Sequence, residues 1–229
     1  KIVLTNDEWM LSNTGFVQAG TQPGTFALNV ANWFTGSPSG NDFLVYSTNF
    51  GLTESSLTSV MTGAGNTWTK DASLPQTLSE LQKYDAVFLA GTAFDNAVLI
   101  QYVNGGGNVF LEGGTGWGGA AAEAAQWNAF LNAFGLGFGS VYNGVNGNVP
   151  IDSSHPIFAG VTSLYQNNGN DTLDINVSDP RGQVLVTSAT SGHGLYAVYE
   201  SVSVPEPGTL ILLGGALIGL FGLRRKVGA

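Results

Sequence analysis

Four short runs constrain this chain more than anything else in it: IVLTN (2–6), DFLVYSTN (42–49), DAVFLAGT (85–92) and NVFLEGG (108–114) are apolar at consecutive positions. A strand that is apolar at neighbouring residues is covered on both faces, which is the condition of a parallel sheet between two helical layers. The intervening segments supply those layers. FALNVANWF (26–34) places Phe26, Val30, Trp33 and Phe34 on one helical face, and TESSLTSVMTGAG (53–65) reads as a helix with Thr53 as its N-cap. DNAVLIQYVNGGG (95–107) opens at Asp95 and stops at Gly105, and AAAEAAQWNAFLNAFG (120–135) buries Trp127, Phe130, Leu131 and Phe134. Residues 1–137 are therefore predicted to form an α/β core, a mostly parallel sheet flanked by helices. Beyond 138 the rhythm changes. GSVYNGVNGNVPI (139–151), QVLVTSAT (183–190) and GLYAVYE (194–200) read as strands between Asn, Gly and Asp turns, so 138–200 is expected to be a β-rich extension of the same domain packed on the sheet edge.

The other end of the chain is of a different kind. Residues 201–207 read as a linker and 208–229 as a membrane-spanning helix with a basic tail. Gly208 to Leu223 carries no charge, and as a helix it reaches about 24 Å. That is short of a hydrocarbon core about 30 Å thick, but Val204 and the snorkelling Arg224, Arg225 and Lys226 extend it. The run has no polar face, and Gly214, Gly215, Gly219 and Gly222 would weaken a helix in water. Basic residues after the span place the C-terminus in the cytoplasm and everything before it outside. Val204-Pro205-Glu206-Pro207, the apolar run and Arg224-Arg225-Lys226 together resemble the C-terminal sorting signal called PEP-CTERM. The resemblance implies an exported precursor, anchored in the inner membrane until an exosortase processes it near Pro205, Glu206 and Pro207. Two prolines before the span leave an extended peptide there. Because the chain opens at Lys1 in an apparent strand, an export signal is expected to have been removed ahead of it.

Composition narrows the function. There is no cysteine, hence no thiolate nucleophile, thiolate metal site or disulfide framework. The net charge is -9, and with three of the seven basic residues in the tail only four remain in the outer domain, which excludes nucleic acid as a partner.

The order of elements, with YDAVFLAG, a helix and YVNGGGNVFLEGG, resembles the flavodoxin-like, class I glutamine amidotransferase-like fold over roughly residues 1–160. His155-Pro156-Ile157-Phe158 with Gly160 resembles a segment found in non-amidotransferase members. Catalytic members hold a cysteine on a tight elbow after the strand ending at Glu112. Here Gly113-Gly114-Thr115-Gly116 occupies the elbow, so that apparatus does not transfer, and no triad with His155 or His193 is supported. Gly114 to Gly119 also satisfies the dinucleotide pattern of spaced glycines. With 33 glycines in the chain, roughly 0.7 such matches arise by chance, and no acidic residue closes the next strand.

Ligands of open α/β sheets sit beyond the carboxyl ends of strands. That edge is expected to gather Asn6, Asp7, Glu8 and Trp9, then Thr92 and Asp95, then Glu112, Thr115 and Trp117, with His155 as a candidate neighbour. Carboxylates and two tryptophans at one edge suit a sugar or a divalent cation. Asp171, Asp174 and Asp179 are a weaker Ca²⁺ candidate, since their spacing departs from the EF-hand pattern. No other cofactor is implied. Two functions stand open: a non-catalytic cell-surface or extracellular-matrix protein acting by adhesion, self-assembly or contact with extracellular polysaccharide, and a secreted carboxylate- or metal-dependent hydrolase or amidotransferase-like enzyme. Convergence of Asp7, Glu8, Glu112 and His155 in one pocket is the feature that favours the enzyme.

Overall fold

The computed structural model describes residues 1–167, 179–189 and 191–201. The strands are β1 (Ile2–Thr5), β2 (Asp42–Ser47), β3 (Thr67–Lys70), β4 (Ala86–Ala90), β5 (Val109–Glu112), β6 (Asn146–Pro150), β7 (Ser163–Asn167), β8 (Gly182–Thr187) and β9 (Gly194–Tyr199). Between them run α1 (Asn13–Val17), α2 (Pro23–Thr35), α3 (Phe50–Thr53), α4 (Ser55–Gly63), α5 (Leu78–Leu81), α6 (Asn96–Asn104) and α7 (Ala120–Leu131), with short 3₁₀ turns at Trp9–Leu11, Asn132–Phe134 and Pro156–Phe158.

Seven strands form one sheet in the order β3-β2-β4-β5-β1-β9-β8. The first five are parallel, as the two-sided apolar character of β1, β2, β4 and β5 requires, while β9 runs antiparallel to β1 and β8 antiparallel to β9. The late strands thus extend the sheet beyond β1, and β6 and β7 pair separately. Each face of the sheet has its own core. On one, Val3, Val45, Phe88, Phe110 and Tyr196 pack beneath Phe26, Val30 and Phe34 of α2 and Leu57 and Met61 of α4. On the other, Leu4, Leu44, Leu89 and Leu111 meet Leu99 and Val103 of α6 and Trp127, Phe130 and Leu131 of α7.

Local chemistry sets the boundaries. The Asp95 carboxylate accepts the N–H groups of Ala97 and Val98 and so starts α6. Thr53 does not cap the helix after β2. Asn49 caps the four-residue turn α3, its side chain accepting the Gly51 N–H, so Thr53 ends that turn and α4 starts after Glu54. The strands β3 and β7, unread from sequence, are four- and five-residue segments in which polar and apolar residues mix. At the far edge, β8 carries two register irregularities against β9, which bend it away from ideal pairing. Among the described residues no helix is long and apolar enough to cross a membrane, and the expected span at 208–223 lies outside them.

Candidate functional site

One face of the sheet changes character at its last register row. Val45, Phe88, Phe110, Val3 and Val198 belong to the core, but two residues nearer the carboxyl end the same face presents Ser47, Ala90, Glu112, Thr5 and Tyr196 side by side across β2, β4, β5, β1 and β9. Glu112, Thr5 and Tyr196 are completely buried. Neither Oε atom of Glu112 nor Oγ1 of Thr5 has a hydrogen-bond partner. A buried carboxylate without a donor is costly as an anion, and the Glu112 carboxyl is held well above the usual carboxylate range by burial, then by the charges of Glu8 and Asp7.

Asp7 and Glu8 come from the turn after β1. They engage different neighbours, as adjacent residues do. Asp7 accepts the N–H of Trp9 at 2.6 Å through Oδ1 and that of Asn167 at 2.8 Å through Oδ2. Burial outweighs both bonds and pushes its pKa up to about 7. Glu8 accepts from the Asn49 side-chain amide. Its pKa is also raised to about 7, by burial first and then by Asp7 and Glu123, against the lowering influence of Asn49. Close approach of α3 depends on Gly51: a Cβ there would sit 2.6 Å from the Glu8 carbonyl oxygen and 2.7 Å from Glu112 Oε2.

Glu123, buried in the first turn of α7, is the fourth carboxylate. It takes the Thr115 hydroxyl at 2.6 Å and the Thr115 N–H at 3.2 Å, which anchors the elbow after β5. Thr115 and Asn49, each tied to a carboxylate, face a cleft of about 430 Å³ lined by Thr48, Asn49, Phe50, Gly91, Thr115, Gly116 and Trp117. Gly91 has φ +59°, and a side chain at that position would strain the backbone and press on Thr115 and Asn49. Trp117 is 42% exposed at the mouth. Tyr142 is 37% exposed, and its hydroxyl pKa is raised by burial first and then by the charges of Glu123 and Glu8.

The structure thus brings Asp7, Glu8, Glu112, Thr115 and Trp117 to one edge, with Trp9 supporting Phe50 edge-on at 4.8 Å. Two expectations need correcting. His155 is at the opposite, amino end of the sheet. Its ring packs 5.3 Å from Trp33, its Nδ1 accepts the Ile157 N–H, and it shares a basin of about 570 Å³ with Arg181 and Glu200. The Pro156–Phe158 turn, with Ile157 and Phe158 buried under α2, fixes it there. Asp95 is spent on capping α6 and does not line the cleft. Sequence reasoning passed over Asn49, Glu123 and Tyr142. A lone carboxylate on the otherwise alanine-rich start of α7 was the available sign of Glu123.

Among the described residues no three His, Asp or Glu side chains are placed to hold a metal ion. Asp179 forms a two-point ion pair with Arg181, 2.7 Å at each contact, while Asp171 and Asp174 lie outside the described residues.

Residues 203–226 match the PEP-CTERM protein-sorting motif. The match spans Pro205, Glu206, Pro207, Arg224, Arg225 and Lys226, all outside the described residues. The chain therefore carries the signal of an exported precursor that is anchored at the membrane and processed by an exosortase on its way to the cell surface. No curated protein matches it.

Proposed function

We propose that this exosortase-sorted surface protein binds a carbohydrate in the cleft at the carboxyl edge of its sheet. The observation that carries the reading is the placement of aromatic surface. Among the described residues only Val17, Trp117, Val141 and Tyr142 are exposed large apolar side chains, and Trp117 lines this cleft. An exposed indole beside a wall of hydroxyl and amide groups suits a ligand with apolar ring faces and polar edges. Thr48, Asn49 and Thr115 supply that wall, and the last two are fixed by Glu8 and Glu123, so they are ordered before a ligand arrives. The elbow at Gly113–Gly116 and the five parallel strands support reading the core as an amidotransferase-like scaffold without its cysteine. An adhesive role in the extracellular matrix follows if the bound carbohydrate is a matrix polysaccharide.

The test is titration of the full-length protein in mild detergent with oligosaccharides, read by tryptophan fluorescence and calorimetry. Saturable binding weakened about tenfold by Trp117→Ala is expected. Absence of binding across neutral, acidic and basic sugars, or affinity untouched by Trp117→Ala, overturns the proposal.

One observation favours a second reading. Glu8 titrates near neutrality beside the cleft, the condition for a general acid or base, so the alternative is a hydrolase acting on the same ligand. New reducing ends on incubation with a bound oligosaccharide, abolished in Glu8→Gln, would favour it.

A further inference from the structure

The chain leaves its folded domain at a built surface. β9 runs antiparallel to β1, with Tyr199 opposite Ile2, so it ends at the amino edge of the sheet, away from the cleft. The exit is pinned there. The Glu200 N–H donates to the Arg181 carbonyl, and the Glu200 carboxylate pairs with Lys1 Nζ at 2.9 Å. The next residue, Ser201, lines the basin of about 570 Å³ together with Trp33, His155, Arg181, Gln183 and Glu200.

A second observation comes from the sorting motif, whose match begins at residue 203. Pro205 is four residues beyond Ser201, and four residues span at most about 14 Å in any conformation. That is little more than the width of one helix with its side chains, about 10–12 Å. An exosortase that acts near Pro205, Glu206 and Pro207 is therefore brought against the amino end of the domain. The basin there has what a protein partner uses. Arg181 and Glu200 offer opposite charges on side chains that are 42% and 53% exposed, beside Trp33 and the half-buried His155 ring. Both charges are already held in place, Arg181 by Asp179 at two contacts and by the Tyr199 ring at 5.3 Å, and Glu200 by Lys1. Little side-chain freedom is lost on docking. Tryptophan and arginine are also the residue types that dominate binding at protein interfaces.

We propose that this basin is a docking surface for the processing exosortase, which reads it together with the Pro-Glu-Pro motif. The partner it fits is a polar loop of the enzyme that carries an acceptor for Arg181 and a donor for Glu200. The short tether joins the two contacts into one bivalent event. The cleft at the other end of the sheet takes no part.

The test is the rate of processing of the full-length precursor in cells that contain the exosortase, followed by pulse–chase and intact mass. Arg181→Ala/Glu200→Ala removes one charge of each sign and leaves the net charge unchanged. Both side chains belong to exposed ion pairs, which contribute little to folding, and circular dichroism verifies that the fold is kept. Processing should slow about tenfold. About ten Gly and Ser residues inserted after Ser201 lengthen the tether to Pro205 from four to about fourteen residues. Effective concentration falls as roughly the −3/2 power of length, so this change should slow processing about sixfold. Combined, the two should be no slower than the double substitution alone, since each breaks the same coupling. Faster processing with the insertion makes the domain an obstacle and overturns the proposal. So does a rate unmoved by either change, or effects that multiply. A native precursor that stays unprocessed overturns it as well, and leaves the carbohydrate reading standing.

Discussion

Glu8→Gln should stabilise the protein, and only at neutral and alkaline pH. The native glutamate is almost completely buried, and its pKa rises from 4.5 to about 7. Below pH 4.5 folded and unfolded chains both hold the proton, so the group's contribution to stability is intact. As pH climbs from 4.5 to 7 the unfolded chain releases the proton while the folded one retains it, and stability falls; above 7 the loss is complete. At about 1.4 kcal/mol per pKa unit the shift corresponds to about 3 kcal/mol, reduced to about 2 kcal/mol because Glu8 lies next to an open cleft. Glutamine keeps the acceptor for Asn49 and lacks the charge. The variant should therefore match the native protein at pH 4.5 and exceed it by about 2 kcal/mol at pH 8.5, an increase of roughly 4–8 °C in Tm for a domain of this size. His155, whose pKa is lowered by burial, changes stability with the opposite sign, but it lies at the other end of the sheet and cancels between the two proteins. Thermal unfolding followed by circular dichroism across that range is the assay. A gain equal at both pH values, or a loss at pH 8.5, would refute the reasoning that burial governs this carboxylate.

Gly51→Ala should destabilise by about 1–3 kcal/mol, because its methyl group meets the Glu8 carbonyl and Glu112 together, and a urea titration will measure the fall in midpoint. Trp127→Ala removes a completely buried indole from the core under α7 and should cost about 3–5 kcal/mol in the same titration. Asp95→Ala should cost only about 1 kcal/mol, the worth of a helix cap, and leave oligosaccharide binding unchanged; a loss of binding would return Asp95 to the site. Replacing Pro205, Glu206 and Pro207 with alanine should leave the precursor in the inner-membrane fraction, as intact mass and cell fractionation will show.

The central strands and long helices were legible because their signals are local. Four apolar runs can hide only in a sheet covered on both sides, and Asp95 can be recognised as a cap from its place before an apolar helix. β3 and β7 were not legible, since edge and paired strands of mixed polarity are defined by their partners. The N-terminus of α4 was misplaced by a similar cause: Asn49 starts a turn that consumes Thr53, and Gly51 of that turn packs against Glu112, a residue distant in sequence. In the site, the strand-end rule located Asp7, Glu8, Glu112, Thr115 and Trp117. It could not place His155, whose position depends on a turn held under α2, nor Tyr142, which feels the charges of Glu8 and Glu123 from a loop beyond α7. Burial of Glu112 was equally invisible, for it stands at the end of an apolar run before two glycines and its neighbours in space come from β1, β9 and α3.

The polar last row of the sheet and the aromatic rim above it are built from different materials. The row is set by the register of central strands, where a one-residue change would reverse every side chain, whereas Trp117 and Tyr142 sit on glycine-rich loops whose exchange disturbs no strand. Altering the loops can therefore change what such a protein grasps while the strands keep the acidic row in register.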